Sequence, residues 1–280
     1  MSFQKKSILM VLAMTAFAGN SVLCRLALKD NSIDALSFTT IRIVSGALFL
    51  WLLVYLLQQQ THSRGNWFSS TALFIYAAGF SIAYVTLDTG VGALLLFSAV
   101  QITMIGYGLC KKERLEKVQW LGFFLTVIGV VILLLPGVSA PSLTGAIVML
   151  TAGVAWGIYS LMGQSVSNPM IATASNFMRA IPLVLVTNLV FLDKMTLAYD
   201  GIIYAALSGA LASGAGYAIW YTLLPHIKSI QAAFAQLSVP VIAAAGGVIF
   251  LAEPLTWRLL LSTLIVLTGL SIIVFYKHKI

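Results

Sequence analysis

Two arginines, Arg42 and Arg179, stand alone inside long apolar runs. An ionisable group inside a run of that kind is costly and is a functional candidate by default. Each lies roughly 10 Å from the start of its run at about 1.5 Å per residue. Two chemistries fit that placement: attracting a substrate carboxylate, or gating one mouth of a pathway. Snorkelling, or bonding to carbonyls at a neighbouring helix end, fits it as well.

Aromatic and amide side chains surround these positions in the sequence. Tyr76, Phe80 and Tyr84 recur four residues apart and form one stripe on a helix. Tyr217, Trp220 and Tyr221 share a face of a later run, and Gln101 and Gln236 fall within two others. Asn20, Trp156, Tyr159 and Asn176 add polar edges. Such groups suit a zwitterion with an apolar side chain, because aromatic faces attract an ammonium while amides and hydroxyls orient a carboxylate. Ordinary packing between membrane helices uses the same side chains. Pro182 and Pro240 each remove a backbone hydrogen bond within a run and are candidate hinges.

Some chemistry is missing. The acids Asp30, Asp34, Asp88, Glu113, Glu116, Asp193, Asp200 and Glu253 all fall at or beyond the ends of apolar runs, as do His62, His226 and His278. A proton-driven antiporter keeps a titratable group within the membrane, so the expectation is a facilitator or exchanger that follows its substrate gradient. No GxSxG, no HExxH and no paired intramembrane carboxylates point to an enzyme. A channel would show a ring of like charges or a filter segment. Cys24 and Cys110 form no CxxC pair, so neither a metal nor a cofactor is expected.

The elements that position these residues follow from composition. Only 9% of the 280 residues are charged and 60% are hydrophobic, against roughly 25% charged in a soluble domain. This excludes a water-facing globule and a disordered chain, and the net charge of +8 is spread between apolar runs rather than clustered on a nucleic-acid face. About 20 apolar residues cross a bilayer as a helix, and ten runs qualify: 7–28, 33–57, 68–87, 91–110 and 118–135, then 144–163, 171–192, 201–224, 229–251 and 257–276. Long uniform runs select helices rather than a barrel. Lys5-Lys6, the apolar stretch from Ile8 and Ala16-Phe17-Ala18 resemble a secretory leader with its cleavage site. The run continues past Ala18 to Leu28, which favours a span. Lys5, Lys6, Arg64, Lys111, Lys112, Arg114, Lys117, Lys228, Lys277 and Lys279 fall on the side of the N-terminus, against Arg25, Lys29, Lys194 and Arg258 opposite. The positive-inside rule then puts both termini in the cytoplasm.

The two halves repeat. Glu113-Arg114-Leu115 and the helix through Gly129 match Glu253-Pro254-Leu255 and the helix through Gly269. Residues 37–42 match 174–179, each stretch ending in a lone arginine, and 99–101 align with 238–240. Five spans per repeat is an odd number, so the second copy enters the membrane inverted, an arrangement whose substrate site lies near the midplane. The expected fold is an all-α membrane protein of ten transmembrane helices, two inverted five-helix repeats at residues 1–136 and 137–280 around a central cavity.

With those E-x-L turns, the glycine-containing last helix of each half, Trp156-Gly157 early in the sixth run and the arginine-bearing second runs, the chain resembles the drug/metabolite transporter superfamily and its EamA-domain pattern. Within that superfamily it is most similar to the YddG-type amino-acid exporters. It departs from the pattern at Phe17-Ala18-Gly19-Asn20, where Trp-Gly would be expected. The resemblance implies a multi-pass protein of the cell inner membrane that exports small metabolites, often amino acids. It also implies a cavity lined mainly by helices one to four and six to nine, with five and ten outside. The expected partners are a small-molecule substrate and the lipid bilayer, with no nucleic acid, and the chain is read as a monomer. Lipophilic cations, nucleosides and sugars remain open as substrate classes.

Overall fold

The computed structural model describes residues 1–57, 65–112, 114–138, 140–163, 166–227 and 229–276, without the side chains of 194, 229, 230 and 233. Glu113 of the first E-x-L turn lies outside the described residues, as do Arg64, Lys228, Lys277, Lys279, His62 and His278.

Helices begin where short polar side chains can accept the first free N–H groups. Ser2 starts α1 (Phe3–Lys29), Asp34 starts α2 (Ala35–Leu56) and Asn66 starts α3 (Trp67–Tyr84). Asp88 precedes α4 (Thr89–Cys110) but makes no side-chain cap. Glu116 and Gln119 form a capping box at α5 (Lys117–Leu134). In the second half come α6 (Leu143–Gly163), α7 (Pro169–Val190) capped by Asn168, and α8 (Tyr199–Leu207). A π-helical turn (Ser208–Ala215) leads into α9 (Gly216–Leu223). Then follow α10 (Ser229–Gln236), α11 (Val239–Leu251) and α12 (Trp257–Phe275), the last capped by Thr256.

These segments make ten spans, α8 with α9 forming one and α10 with α11 another. Nine of the described helices are long and apolar enough to cross a membrane. The remaining span, α3, carries Ser69, Ser70, Thr71 and Ser81, which lower its hydropathy. Among the described residues the only bridge of β type is an isolated antiparallel pair, Ile33 with Leu197. The run at Ala16-Phe17-Ala18 lies inside the continuous α1.

Two spans differ from their sequence reading. The eighth is a continuous apolar run in sequence, yet its middle winds as a π-helix. The ninth breaks at Leu237 and Ser238, so Pro240 stands at the start of α11, where its missing N–H costs little, rather than kinking a helix interior. Pro182 does lie inside α7.

Packing separates a wall from a brace. α3 lies against α6 and α7, α4 against α6 and α11, α2 against α7 and the π segment, while α5 packs chiefly on α12. Buried alanines such as Ala13, Ala18, Ala93, Ala152 and Ala243 let helix backbones approach where lipid supplies no hydrophobic drive. Large apolar side chains including Trp51, Phe124, Ile128, Phe250 and Leu264 point outward, as a lipid solvent allows.

Candidate functional site

A cavity of about 720 Å³ occupies the middle of the bundle, within the range of about 300–1,000 Å³ common for small-molecule sites. Its lining reaches Asn66 before α3, Val166 after α6, Pro169 at the start of α7 and Leu224 after α9. Ten crossings return the chain to its starting side, and all four of these positions lie at that end of the bundle. Toward the other end the lining stops at Ser21, Phe80, Leu96 and Ala212. The cavity therefore opens on the face that carries both chain termini.

The wall is aromatic. Trp156 stacks on Tyr159 at 5.3 Å and on Tyr217 at 5.4 Å, and Tyr217 stacks on Tyr221 at 6.1 Å. Tyr76 leans on Trp156 at 4.6 Å, and Phe17 on Tyr217 at 5.7 Å. Hydroxyl bonds hold the ring edges: Tyr159 donates to Thr173 Oγ1 at 3.2 Å, and Thr173 Oγ1 meets the Tyr221 hydroxyl at 3.1 Å. Trp220 also lines the cavity, as do the amides Asn20, Gln101, Asn176 and Gln236. Asn176 Oδ1 accepts from the Asn66 N–H at 3.0 Å and the Ser70 hydroxyl at 3.4 Å, joining α7 to the start of α3 near the open mouth. No charged side chain lies among the described lining residues.

Three sequence candidates lie off this wall. Tyr84 is fully buried beyond the closed end, donating to the Thr89 carbonyl at 3.2 Å. Arg179 is half-buried and turned back onto the carbonyl and hydroxyl of Ser175 in its own helix. Arg42 is 2% exposed and sits one side chain behind the cavity, touching it through Tyr76, Phe80 and Ser213. No α2 residue lines the cavity, although the family resemblance implies one, whereas α5 and α12 lie outside it as that resemblance implies.

The π-helical turn builds the floor. Its Ser208 hydroxyl donates to Asn20 Oδ1 at 2.5 Å, and its Ser213 hydroxyl accepts from Arg42 Nε at 3.4 Å. The turn can reach α2 only because Gly209 has no Cβ, which would strike the Arg42 carbonyl and the Ser45 hydroxyl. Local π geometry of this kind is frequent at functional sites. Sequence reading missed Phe17, Thr173, Ser208 and Ser213, since a lone ring or a hydroxyl that belongs to no stripe at helical spacing carries no signal that separates floor from filler.

Beyond the floor, the closed end is lashed by a polar cluster. Arg25 on α1 donates through Nη1 to the Tyr84 and Val85 carbonyls, each at 2.9 Å, and lies 3.7 Å from Asp88 and 3.4 Å from Glu253. Glu253 is 8% exposed. It accepts the Thr89 N–H at 2.8 Å and the Thr89 hydroxyl at 3.1 Å, capping α4 in place of Asp88. Burial pushes its carboxyl above the usual value and Asp88 adds to that, while the bonds from Thr89 and the charge of Arg25 pull it back. Ala252, a non-glycine residue at φ 53°, turns the chain so that Glu253 folds over Gly247. Lys29 Nζ donates to the Leu251 carbonyl at 2.9 Å. Nearby, the loop before α2 pairs with the loop before α8: Asp34 N–H donates to the Thr196 carbonyl at 3.2 Å and Ala198 N–H to the Ser32 carbonyl at 2.7 Å. In sequence Arg25 reads as a span-end charge and Glu253 as the first residue of a repeated E-x-L turn, with nothing to pair the two.

The EamA-like transporter family matches the chain twice, over residues 4–135 and 143–275. A Pseudomonas aeruginosa protein described as uncharacterized is 53% identical over 267 residues, covering 95% of this chain and 93% of the other. Proteins described as probable amino-acid metabolite efflux pumps, from Salmonella typhimurium and Escherichia coli, are each 24% identical over 209 residues, 68% of either chain. A solved crystal structure shares the fold with a TM-score of 0.66 at 14% identity, covering 94% of this chain and 97% of the other.

Proposed function

The chain belongs to the EamA-like transporter family and is a multi-pass membrane transporter, and from that premise we propose that it exports amino acids, aromatic and apolar ones included, by alternating access of its central cavity. The observation that carries this reading is the wall itself: stacked aromatic rings and five amides, with no charged side chain among the described lining residues. A zwitterion with an apolar side chain needs ring faces for its ammonium and donors for its carboxylate, and it needs no charge in the wall itself. The relatives described as probable amino-acid metabolite efflux pumps support both the substrate class and the outward direction.

Alternating access is supported by the asymmetry of the two ends, one open at the termini and the other tied by Arg25, Glu253 and the paired loops. The double family match supports reading residues 1–136 and 137–280 as inverted repeats able to exchange the two states at similar energy. The excess of Lys and Arg on the terminal side supports an inner-membrane protein with both termini in the cytoplasm. The open mouth then faces the cytoplasm, the side from which an exporter loads.

A second reading, efflux of lipophilic cations, draws on the same aromatic plate. A guanidinium directly behind the floor works against it. Counterflow into liposomes containing the purified protein separates the two. Saturable, trans-stimulated uptake of several amino acids is the expected result, and uptake of lipophilic cations alone overturns the amino-acid reading.

A further inference from the structure

The guanidinium of Arg42 is buried yet faces no carboxylate, for both ion pairs among the described residues belong to Arg25. A buried cation without a counter-anion is costly, and its surroundings meet only part of that cost. Nη2 donates to the Tyr76 hydroxyl at 3.0 Å, Nε donates to Ser213, and the rings of Phe80 and Tyr76 lie 4.9 and 5.2 Å from the guanidinium carbon. Nη1 has no hydrogen-bond partner.

Tyr76 sharpens the picture. Its phenolic oxygen accepts from Arg42 Nη2 and, at 3.5 Å, from Asn20 Nδ2. With two donors already directed at that oxygen, its own proton is free to be given to a third group. Tyr76, Asn20 and Ser213 all line the cavity. The floor thus presents an unused phenol O–H, with a buried, only partly partnered guanidinium and its positive charge one side chain behind it. A carboxylate, which accepts from the donor and is drawn to the charge, suits that arrangement better than a neutral acceptor.

Arg179, the sequence counterpart, supplies a contrast. It spends its donors on Ser175 in its own helix and lies off the cavity. A purely structural requirement shared by both arginines would leave the two similarly satisfied.

We propose that Tyr76, backed by the charge of Arg42, forms the anion-recognising end of the cavity, so that the transported molecule must carry a carboxylate, which takes the Tyr76 proton in front of that charge. This rests on the reading of the cavity as the substrate site and extends it by orienting the substrate. The carboxylate lies at the floor among Asn20, Tyr76 and Ser213, and the apolar side chain extends over the Trp156–Tyr217 stack toward the open mouth. Arg42 is then the specificity-determining residue, and neutral or purely cationic analogues are rejected.

The test is binding, read by fluorescence of the cavity tryptophans Trp156 and Trp220 in detergent. L-Phenylalanine, 3-phenylpropionate and L-phenylalaninamide are titrated against the wild-type protein, Arg42→Lys and Arg42→Met. Both carboxylates should bind and the amide should bind at least about tenfold more weakly. Arg42→Met should weaken both carboxylates by roughly ten- to hundredfold, the range for losing an interaction with a charged group, bind the amide no more weakly than the wild-type protein does, and be partly rescued by Arg42→Lys. An amide that binds as tightly as phenylalanine, no binding of either carboxylate, or carboxylate affinity indifferent to Arg42→Met overturns the proposal. If Arg42→Met does not fold, the acid-to-amide ratio of the wild-type protein decides alone. Arg42-dependent binding of 3-phenylpropionate without amino-acid counterflow supports this inference and overturns the amino-acid reading. Counterflow of amino acids with equal binding of the amide does the reverse.

Discussion

At the scale of single residues, the acids at the closed end respond to pH in opposite senses. Burial would raise the Asp34 carboxyl, but hydrogen bonds from the N–H groups of Ser37, Thr196 and Leu36 outweigh it and hold the value below the usual range. A lowered acid contributes stability above its ordinary pKa and loses it as pH falls through the lowered one. Asp34 joins the N-terminus of α2 to the loop before α8, so acid should loosen that pairing first. Thermal melting in detergent from neutrality down to about pH 3 should show a loss of stability that is flattened in Asp34→Asn. Identical acid profiles for the two proteins would contradict the assignment. Asp34→Ala, which also removes the cap, should cost about 1 kcal/mol at neutral pH. Glu253 has the other sign: its raised value means its buried arrangement weakens as pH climbs from the ordinary carboxylate range through the raised one. Residue types were legible in part. The aromatic wall could be read because rings and amides recur at helical spacing, but Tyr84 could not be excluded. Eight residues turn a helix about 80° off a strict fourfold stripe and carry it about 12 Å along the axis, which takes Tyr84 past the floor that Phe80 still lines. Arg25 and Glu253 were illegible as a pair because nothing local relates residues that lie on opposite ends of the chain.

At the scale of elements, the spans themselves were readable, since an uninterrupted apolar run has little choice but to be a helix in lipid. Their interruptions were not. Ser208–Ala215 is richer in small residues than α8 or α9, yet small residues alone do not mark a π turn, and it is the close approach of Gly209 to α2 and the bonds of Ser208 and Ser213 that make this geometry useful. The break at Leu237 and Ser238 follows from Pro240, whose ring would strike the carbonyl of residue 236, four positions earlier, in a continuous helix. Gln236 is thereby the last residue of α10 and presents to the cavity from a helix end. Pro240→Ala permits α10 and α11 to fuse. If α10 moves separately during switching, the variant should express normally but transport more slowly by roughly an order of magnitude, equal to about 1.4 kcal/mol on the barrier. Initial rates of counterflow measure this, and wild-type rates would show that the break plays no part in the cycle.

At the scale of the whole molecule, function comes from two ends in different states. The terminal end is an aromatic-walled mouth, and the far end is a lattice of charge-assisted bonds and loop pairs that closes over the same chamber. The sequence counterparts Arg42 and Arg179 have diverged in use, one behind the floor and one outside the wall, which no count of matching motifs could foretell. Access on each side of the membrane tests the scheme most directly. Asn66→Cys at the mouth and Thr89→Cys in the latch, where Thr89 is fully buried against Glu253, each in a background lacking Cys24 and Cys110, are labelled with a membrane-impermeant thiol reagent in oriented vesicles, with and without saturating amino acid. The account predicts that without substrate residue 66 reacts from the terminal side and residue 89 is protected, and that substrate shifts the two in opposite directions. Simultaneous labelling at both positions, or labelling that substrate does not change, would contradict it.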